Sequence, residues 1–459
     1  MIGIKQNDIA LVVITVSLVI ASLFIDDIPT LTAFALAQFV ICVIAGRNTI
    51  AFHNALYFIV VYCLFAFYFG QLFVYYYIVK SSSLPFVVIE RLSEVNLLEC
   101  TRYALISFSV FFLGMVTFSG SQPYVVCSNR CMDFSSDDLN ACRTIGVVFF
   151  VATIVPALTY EYGILAASFS HGYAAGRVMA DVSGITDDLA RLCRISILLM
   201  MVGFKDRKYV SKLILILFVS FLLLKLIVYG ERGYALIDML IFIWSYKYFV
   251  NQEKKTPIVK IVVGIIVLVF ILGFVGEMRA EGVTNISTKD ASEVLQNNFF
   301  VRQFVEFGWT LLSLGYTMRI VPMYHPYTYG KTFLYSLMEM LPGGGGAAAQ
   351  MTSSTGVIFS VQGHCALGGS FISDTYLNFG YFGFFLMFFF GFFMAGLLNK
   401  IHQHASMLLN PIYAICWLSL YSCLIWLVRG TFLNVPRTIE FTILPVLLLY
   451  YFLKKRKQC

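Results

Sequence analysis

A lone carboxylate, Asp374, enters a long apolar run with a hydroxyl on either side, Ser373 and Thr375. A carboxylate so placed can take a proton from an alcohol, which is the work of a general base. It can equally cap the helix that begins beside it. His364, in the preceding loop, is the alternative base. A second chemistry is carried by arginines next to glycines or helix ends. These are Arg232 in Gly230-Glu231-Arg232-Gly233, Arg279 after Gly276, and Arg429-Gly430 with Arg437 beyond it. A guanidinium grips phosphate through two parallel hydrogen bonds. Glycine lets the backbone come close to such a ligand. Arginines around a diphosphate also neutralise the charge that develops as it leaves. Each of these arginines, taken alone, also fits a helix cap or a headgroup anchor.

The elements that must position these groups are membrane helices. The chain is 59% hydrophobic and only 12% charged. A span needs about 20 apolar residues. Such runs fall near 9–25, 28–45, 53–79, 103–118, 144–159, 191–204, 212–229, 233–249, 258–275, 371–397, 411–428 and 439–453, about twelve in all. The first run lacks a small-residue cleavage site, so it reads as a retained helix. The tail Lys454-Lys455-Arg456-Lys457 fixes the cytoplasmic side. With that topology about 12 of 16 lysines fall inside, whereas about 11 of 16 arginines fall outside. Lysines follow the positive-inside rule and arginines run against it, which points to a lipid-linked phosphate or diphosphate at the outer face. The net charge of +7 sits largely at the cytoplasmic surface, where it suits anionic membrane lipids and not nucleic acid.

The domain reading follows this topology: helices with short loops over 1–275, a large outer loop over 276–370, and the last helices with a basic tail over 371–459. Within the loop, 299–319 reads as a helix lying on the interface and carrying Arg302, Glu306 and Arg319. A second surface helix is expected near 332–341, with Phe333, Leu334, Leu337, Met338 and Leu341 opposite Ser336 and Glu339. Pro342 stops it, and Gly343–Gly346 follow. Lys225 is the clearest charge inside a span, near enough to a helix end to snorkel. Acids near the midplane are almost absent, which disfavours an ion-coupled transporter. Cys127, Cys131 and Cys142 share a polar loop without a histidine, a poor zinc pattern. No metal and no cofactor is expected.

The stretch Ser370, Asp374, Tyr376, Asn378, Phe379, Gly380 resembles the O-antigen polymerases, the Wzy-type oligosaccharide repeat-unit polymerases. That family shows a small-residue turn, an acid, a Tyr and Asn-Phe-Gly at the start of a late span. Many members carry Glu where this chain has Asp374. Arg319, ten residues and then Gly330 resembles the R-x10-G pattern of the family's large outer loop. The Arg232 turn resembles another arginine-bearing junction. The resemblance implies an all-α polytopic membrane protein with a GT-C-like fold, set in the bacterial inner membrane with its active site facing the periplasm. It implies a metal-independent, inverting glycosyltransferase. Donor and acceptor would both be undecaprenyl-diphosphate-linked oligosaccharides, and a chain-length-regulating co-polymerase would be a partner. Asp374 or His364 would be the base. Arg232, Arg279, Arg319, Arg429, Arg437, Gly330 and Tyr376 would hold substrate. An O-antigen ligase and a lipid-linked oligosaccharide flippase are the alternatives. The related ligases carry a histidine where this chain has Ser373-Asp374, and the outer loop of about 95 residues is long for a flippase.

Overall fold

The computed structural model describes residues 6–48, 55–79, 86–121, 134–179, 184–229, 232–251, 304–305, 307–341, 346–362, 369–406 and 410–458. Among them there is helix and no strand. Apolar runs in lipid leave the backbone no other way to satisfy its N–H and C=O groups within one segment. The helices are α1 (Gln6–Ser22), α2 (Ile28–Asn48), α3 (Ala55–Phe73), α4 (Val87–Arg91), α5 (Glu94–Ser121), α6 (Ser136–Met179), α7 (Gly184–Gly203), α8 (Lys208–Tyr229) and α9 (Arg232–Ser245). Then come α10 (Trp309–Ile320), α11 (Lys331–Met338), α12 (Gly346–Met351), α13 (Ser354–Gln362), α14 (Phe371–Phe379), α15 (Phe384–Ser406), α16 (Pro411–Trp426), α17 (Asn434–Thr438) and α18 (Leu444–Gln458).

Every expected span overlaps one of these helices except 258–275, which lies outside the described residues. By length and composition, 7 described segments can cross a membrane: Ile28–Gly46, Ala55–Ile78, Glu94–Phe118, Ser136–Ala167, Lys208–Leu226, Phe371–Ile401 and Asn434–Arg456. Ile9–Ser22 and Pro411–Trp426 are apolar but shorter. The protein is a polytopic, all-helical membrane protein.

The helices form two compact units. One gathers 1–126, 304–399 and 423–436, and the other gathers 127–303, 400–422 and 437–459. This division follows packing, whereas the one read from sequence follows membrane sidedness. In the first unit α5 passes α15 at backbone contact. A Cβ on Gly114 would lie 2.0 Å from the Phe388 carbonyl oxygen, and one on Gly391 would lie 2.0 Å from that of Phe111. Small residues at such a crossing let membrane helices pack closely, where no hydrophobic effect drives them together.

Of two expectations for 276–370, one changes and one holds. The described part of the 299–319 segment is α10, and it does not lie on a surface. Leu311, Leu312, Ser313, Leu314, Gly315, Tyr316 and Thr317 are all buried, against α3, α4, α5, α13 and α14. Its small and hydroxyl residues admit neighbours on every side, which its apolar pattern alone does not reveal. Helix α11 shows the two expected faces, with Thr332 and Ser336 inward and Leu334, Leu337 and Met338 exposed. This suits a surface helix whose apolar face meets lipid.

In the second unit α6, α7, α8 and α9 pack on one another. Helix α6 continues through 160–179, past the end of the span expected at 144–159. Lys225 does not snorkel. Its Nζ donates to Glu161 Oε1 at 2.7 Å, and both side chains are buried.

Candidate active site

The site is built at the start of α14. Ser370 is extended (φ −148°, ψ 144°), and its Oγ accepts the Ser373 N–H at 3.0 Å. Ser370 is therefore the N-cap. Asp374 lies one turn further in, with its own N–H bonded to the Ser370 carbonyl at 2.9 Å, so it does not cap its own helix. Its side chain is fully buried and turns to a different helix. Oδ1 accepts the Ser354 N–H at 2.8 Å, at the first turn of α13. The carboxylate thus meets an orphan donor and the positive end of that helix. Oδ2 makes no hydrogen bond among the described residues. One oxygen fixes the group, and the other is buried with it.

Asn378, one turn after Asp374, joins the two stretches that carry the family resemblance. Its Oδ1 accepts the Gly330 N–H at 2.8 Å and the Thr328 hydroxyl at 2.6 Å. Its Nδ2 donates to the Asp374 carbonyl at 2.7 Å and to Thr332 Oγ1 at 3.0 Å. All four of its hydrogen-bonding positions are used within a buried site. Backbone bonds from Thr328 N to Leu377 O (3.1 Å) and from Tyr329 N to Asn378 O (3.1 Å) run alongside. Thr332 in turn donates to the Thr352 carbonyl at 2.6 Å.

Gly330 precedes α11 with φ 85°, a left-handed conformation that a Cβ makes costly. It brings its N–H to Asn378, which explains a glycine at the end of the R-x10-G pattern. Gly330→Ala is expected to cost about 1–2 kcal/mol of stability. A thermal midpoint in detergent equal to that of the native protein would remove this account.

Tyr376 is buried in a cluster of phenols. Its ring lies 5.2 Å from that of Tyr103, 5.7 Å from Tyr381 and 6.4 Å from Tyr327. The Tyr103 hydroxyl lies 3.2 Å from Thr375 Oγ1. Tyr381 is half-exposed, so the cluster ends in an aromatic surface with polar tips. The Arg429-Gly430 turn reaches the same helix start. The Phe371 N–H donates to the Leu427 carbonyl at 2.9 Å, and a Cβ on Gly369 would lie 3.8 Å from the Gly430 carbonyl carbon. The Arg429 guanidinium sits 5.6 Å from the Phe67 ring centroid. Arg319 ends α10 exposed.

The other expected arginines are placed differently. Arg437 belongs to the second unit, where it donates to Asp188 Oδ2 at 2.8 Å. Arg191 pairs with Asp187 at 2.9 Å, and Arg194 pairs with Asp238 at 3.2 Å. Burial raises the Asp188 carboxyl above its ordinary range against the pull of Arg437, whereas at Asp187 burial is opposed by Arg191, Arg194 and Arg437 together and the carboxyl is lowered. Some of the arginines expected to face outward are thus met by carboxylates of the protein itself. Arg232 opens α9, with its side chain outside the described residues, as are Arg279, His364, Cys127 and Cys131.

Sequence reasoning quoted Asn378 without a role, and it passed over Ser354, Thr328 and Thr332. Asn in Asn-Phe-Gly was a signal, but its partners lie 46–50 residues away and nothing local marks them. Among the described residues no three of His, Cys, Asp and Glu gather as metal ligands.

A model of the family described as O-antigen polysaccharide polymerase Wzy matches residues 8–457. No curated protein and no solved structure matches the chain.

Proposed function

The chain belongs to the O-antigen polysaccharide polymerase Wzy family, and from that premise we propose that it joins lipid-linked oligosaccharide repeat units at the periplasmic face of the bacterial inner membrane. Donor and acceptor are both undecaprenyl-diphosphate-linked. A hydroxyl at the non-reducing end of the acceptor attacks the anomeric carbon of the donor glycan. The new glycosidic C–O bond forms as the C–O bond to diphosphate breaks, with inversion, and the hydroxyl proton goes to a base. No step calls on a metal.

The observation that carries this reading is the Asn378 junction. It binds the R-x10-G glycine to the turn that bears Asp374, so two separated family patterns meet at one place. Asp374 is the base of this proposal, with one oxygen held by α13 and the other unengaged. His364 is the alternative base. Tyr376 with its phenol neighbours offers the aromatic surface for sugar. Arg232, Arg279, Arg319, Arg429 and Arg437 are the proposed diphosphate ligands.

The test is an assay with purified protein and lipid-linked repeat units. Longer lipid-linked chains support the proposal. Transfer to lipid A–core makes the protein a ligase, and binding without a covalent product makes it a flippase. For the diphosphate ligands, Arg429→Lys keeps the charge but loses the planar fork, and elongation is expected to fall about tenfold. Native rates from Arg429→Lys and Arg429→Ala at equal protein levels would remove Arg429 from the set. For the orientation, a cysteine at Ser287 in a cysteine-free background should react with an impermeant thiol reagent in spheroplasts, and one at Lys457 should not. The reverse pattern refutes a periplasmic site.

A further inference from the structure

The second unit holds a cavity of about 310 Å³ that the site above does not use. It runs along three helices, from Phe150 to Glu161 on α6, from Met200 to Ala190 on α7 and from Ile214 to Lys225 on α8. Ile214 to Lys225 spans about 16 Å at 1.5 Å per residue, or about half the hydrocarbon core of a bilayer. The slot is polar at one end only. Glu161, Lys225 and Arg194 lie there, and the rest of the lining is apolar apart from the Cys193 thiol. The slot is also open sideways. Leu158 of α6 and Leu217 of α8 both line it, yet they are 54% and 62% exposed. Their neighbours Val155 and Ile216 are exposed too, so this opening faces the lipid side of the bundle.

A ligand for this slot must be apolar over most of its length, polar at one end, and able to arrive from within the bilayer. The geometry points to the isoprenoid chain of the carrier lipid, its first units lying between α6, α7 and α8 and its phosphate end beyond the Glu161–Lys225 pair, on the side of the α8–α9 junction. This assignment rests on the reading of the protein as a polymerase of lipid-linked repeat units. Continuity favours the isoprenoid over an ordinary acyl chain. Helix α8 ends at Tyr229 and α9 opens at Arg232, so the polar end of the slot leads towards the arginine-bearing turn proposed for the diphosphate. The Glu161–Lys225 pair closes this end without net charge and marks where the hydrocarbon stops.

The test uses the full chain in phosphatidylglycerol nanodiscs with a diazirine-bearing polyprenyl diphosphate. Labelled peptides are mapped after irradiation. The expected labels fall in 150–161, 190–200 and 214–225, and excess undecaprenyl phosphate removes them while added phosphatidylglycerol does not. Leu217→Trp at the opening and Ala157→Phe inside should each lower labelling about tenfold by overfilling the slot. Leu213→Trp, exposed on α8 outside the lining, should leave it unchanged. Labels confined to other helices, no labelling at all, or equal competition by phosphatidylglycerol would each overturn the assignment. Elongation measured in the same nanodiscs reports separately on the polymerase reading. Elongation with labels elsewhere removes the slot alone, and competed slot labelling without elongation removes the polymerase reading alone.

Discussion

Asp374→Asn lowers chain elongation by about 10²–10⁴-fold, the usual cost of losing a general base. The substitution is nearly isosteric and keeps Oδ1 as the acceptor for the Ser354 N–H, so the first turn of α13 stays tied down. What changes is the second oxygen, which loses its negative charge and its capacity to accept a proton. A purely structural Asp374 would tolerate Asn and suffer with Ala, since Ala leaves a buried N–H unpaired at a cost of about 1–3 kcal/mol. The decisive comparison is therefore elongation against thermal midpoint in both variants. Near-native elongation from a folded Asp374→Asn protein would end the base assignment and leave Asp374 as a cap for α13. His364→Ala would then be the variant to assay.

Asn378→Ala is expected to be the most destabilising single change in the site. Four buried or partly buried groups lose a hydrogen bond at once: the Thr328 hydroxyl, the Gly330 N–H, Thr332 Oγ1 and the Asp374 carbonyl. Buried polar groups left unsatisfied cost more than the bonds contributed, and here the total is about 3–4 kcal/mol. Asn378→Asp keeps both acceptor bonds and loses both donors, so it should fall between Ala and the native residue. A thermal midpoint for Asn378→Ala within the scatter of the native protein would show that these bonds do not join the two stretches.

Much of the helical framework was legible because an apolar run of spanning length has few alternatives to helix. The described spans expected from hydropathy all coincide with helices. Hydropathy failed where charge interrupts a helix without ending it. Helix α6 runs on through Glu161, a residue that looks like part of a loop until Lys225 is seen to meet it from 64 positions away. Helix α10 looked like an interfacial element because its uncharged stretch between Glu306 and Arg319 is short for a span, whereas it is buried on most sides. At the site, the residue types were visible and their partners were not. Asp374 stood out as the one acid in its stretch, but only the structure distinguishes a carboxylate that caps its own helix from one that caps another. The count of arginines by side took each one alone, yet Arg437 carries Asp188 with it, and the count could not see that.

The hydrogen bonds around α14 also fix the ends of the chain that leaves and returns between Gly330 and Asp374. Gly330 is held to Asn378, Thr332 to Thr352, and Ser354 to Asp374. The excursion is thus pinned like a drawstring at its base, and its closure does not depend on what lies between the pins. Lengthening such a loop is cheap, about 0.6 kcal/mol for each doubling. Enzymes sharing this frame can therefore vary the length of chain between Thr332 and Thr352, and between Ser354 and Asp374, at little cost in closure. Divergence between polymerases of different polysaccharides should accumulate there as changes of length, and it should spare the residues that tie the knot.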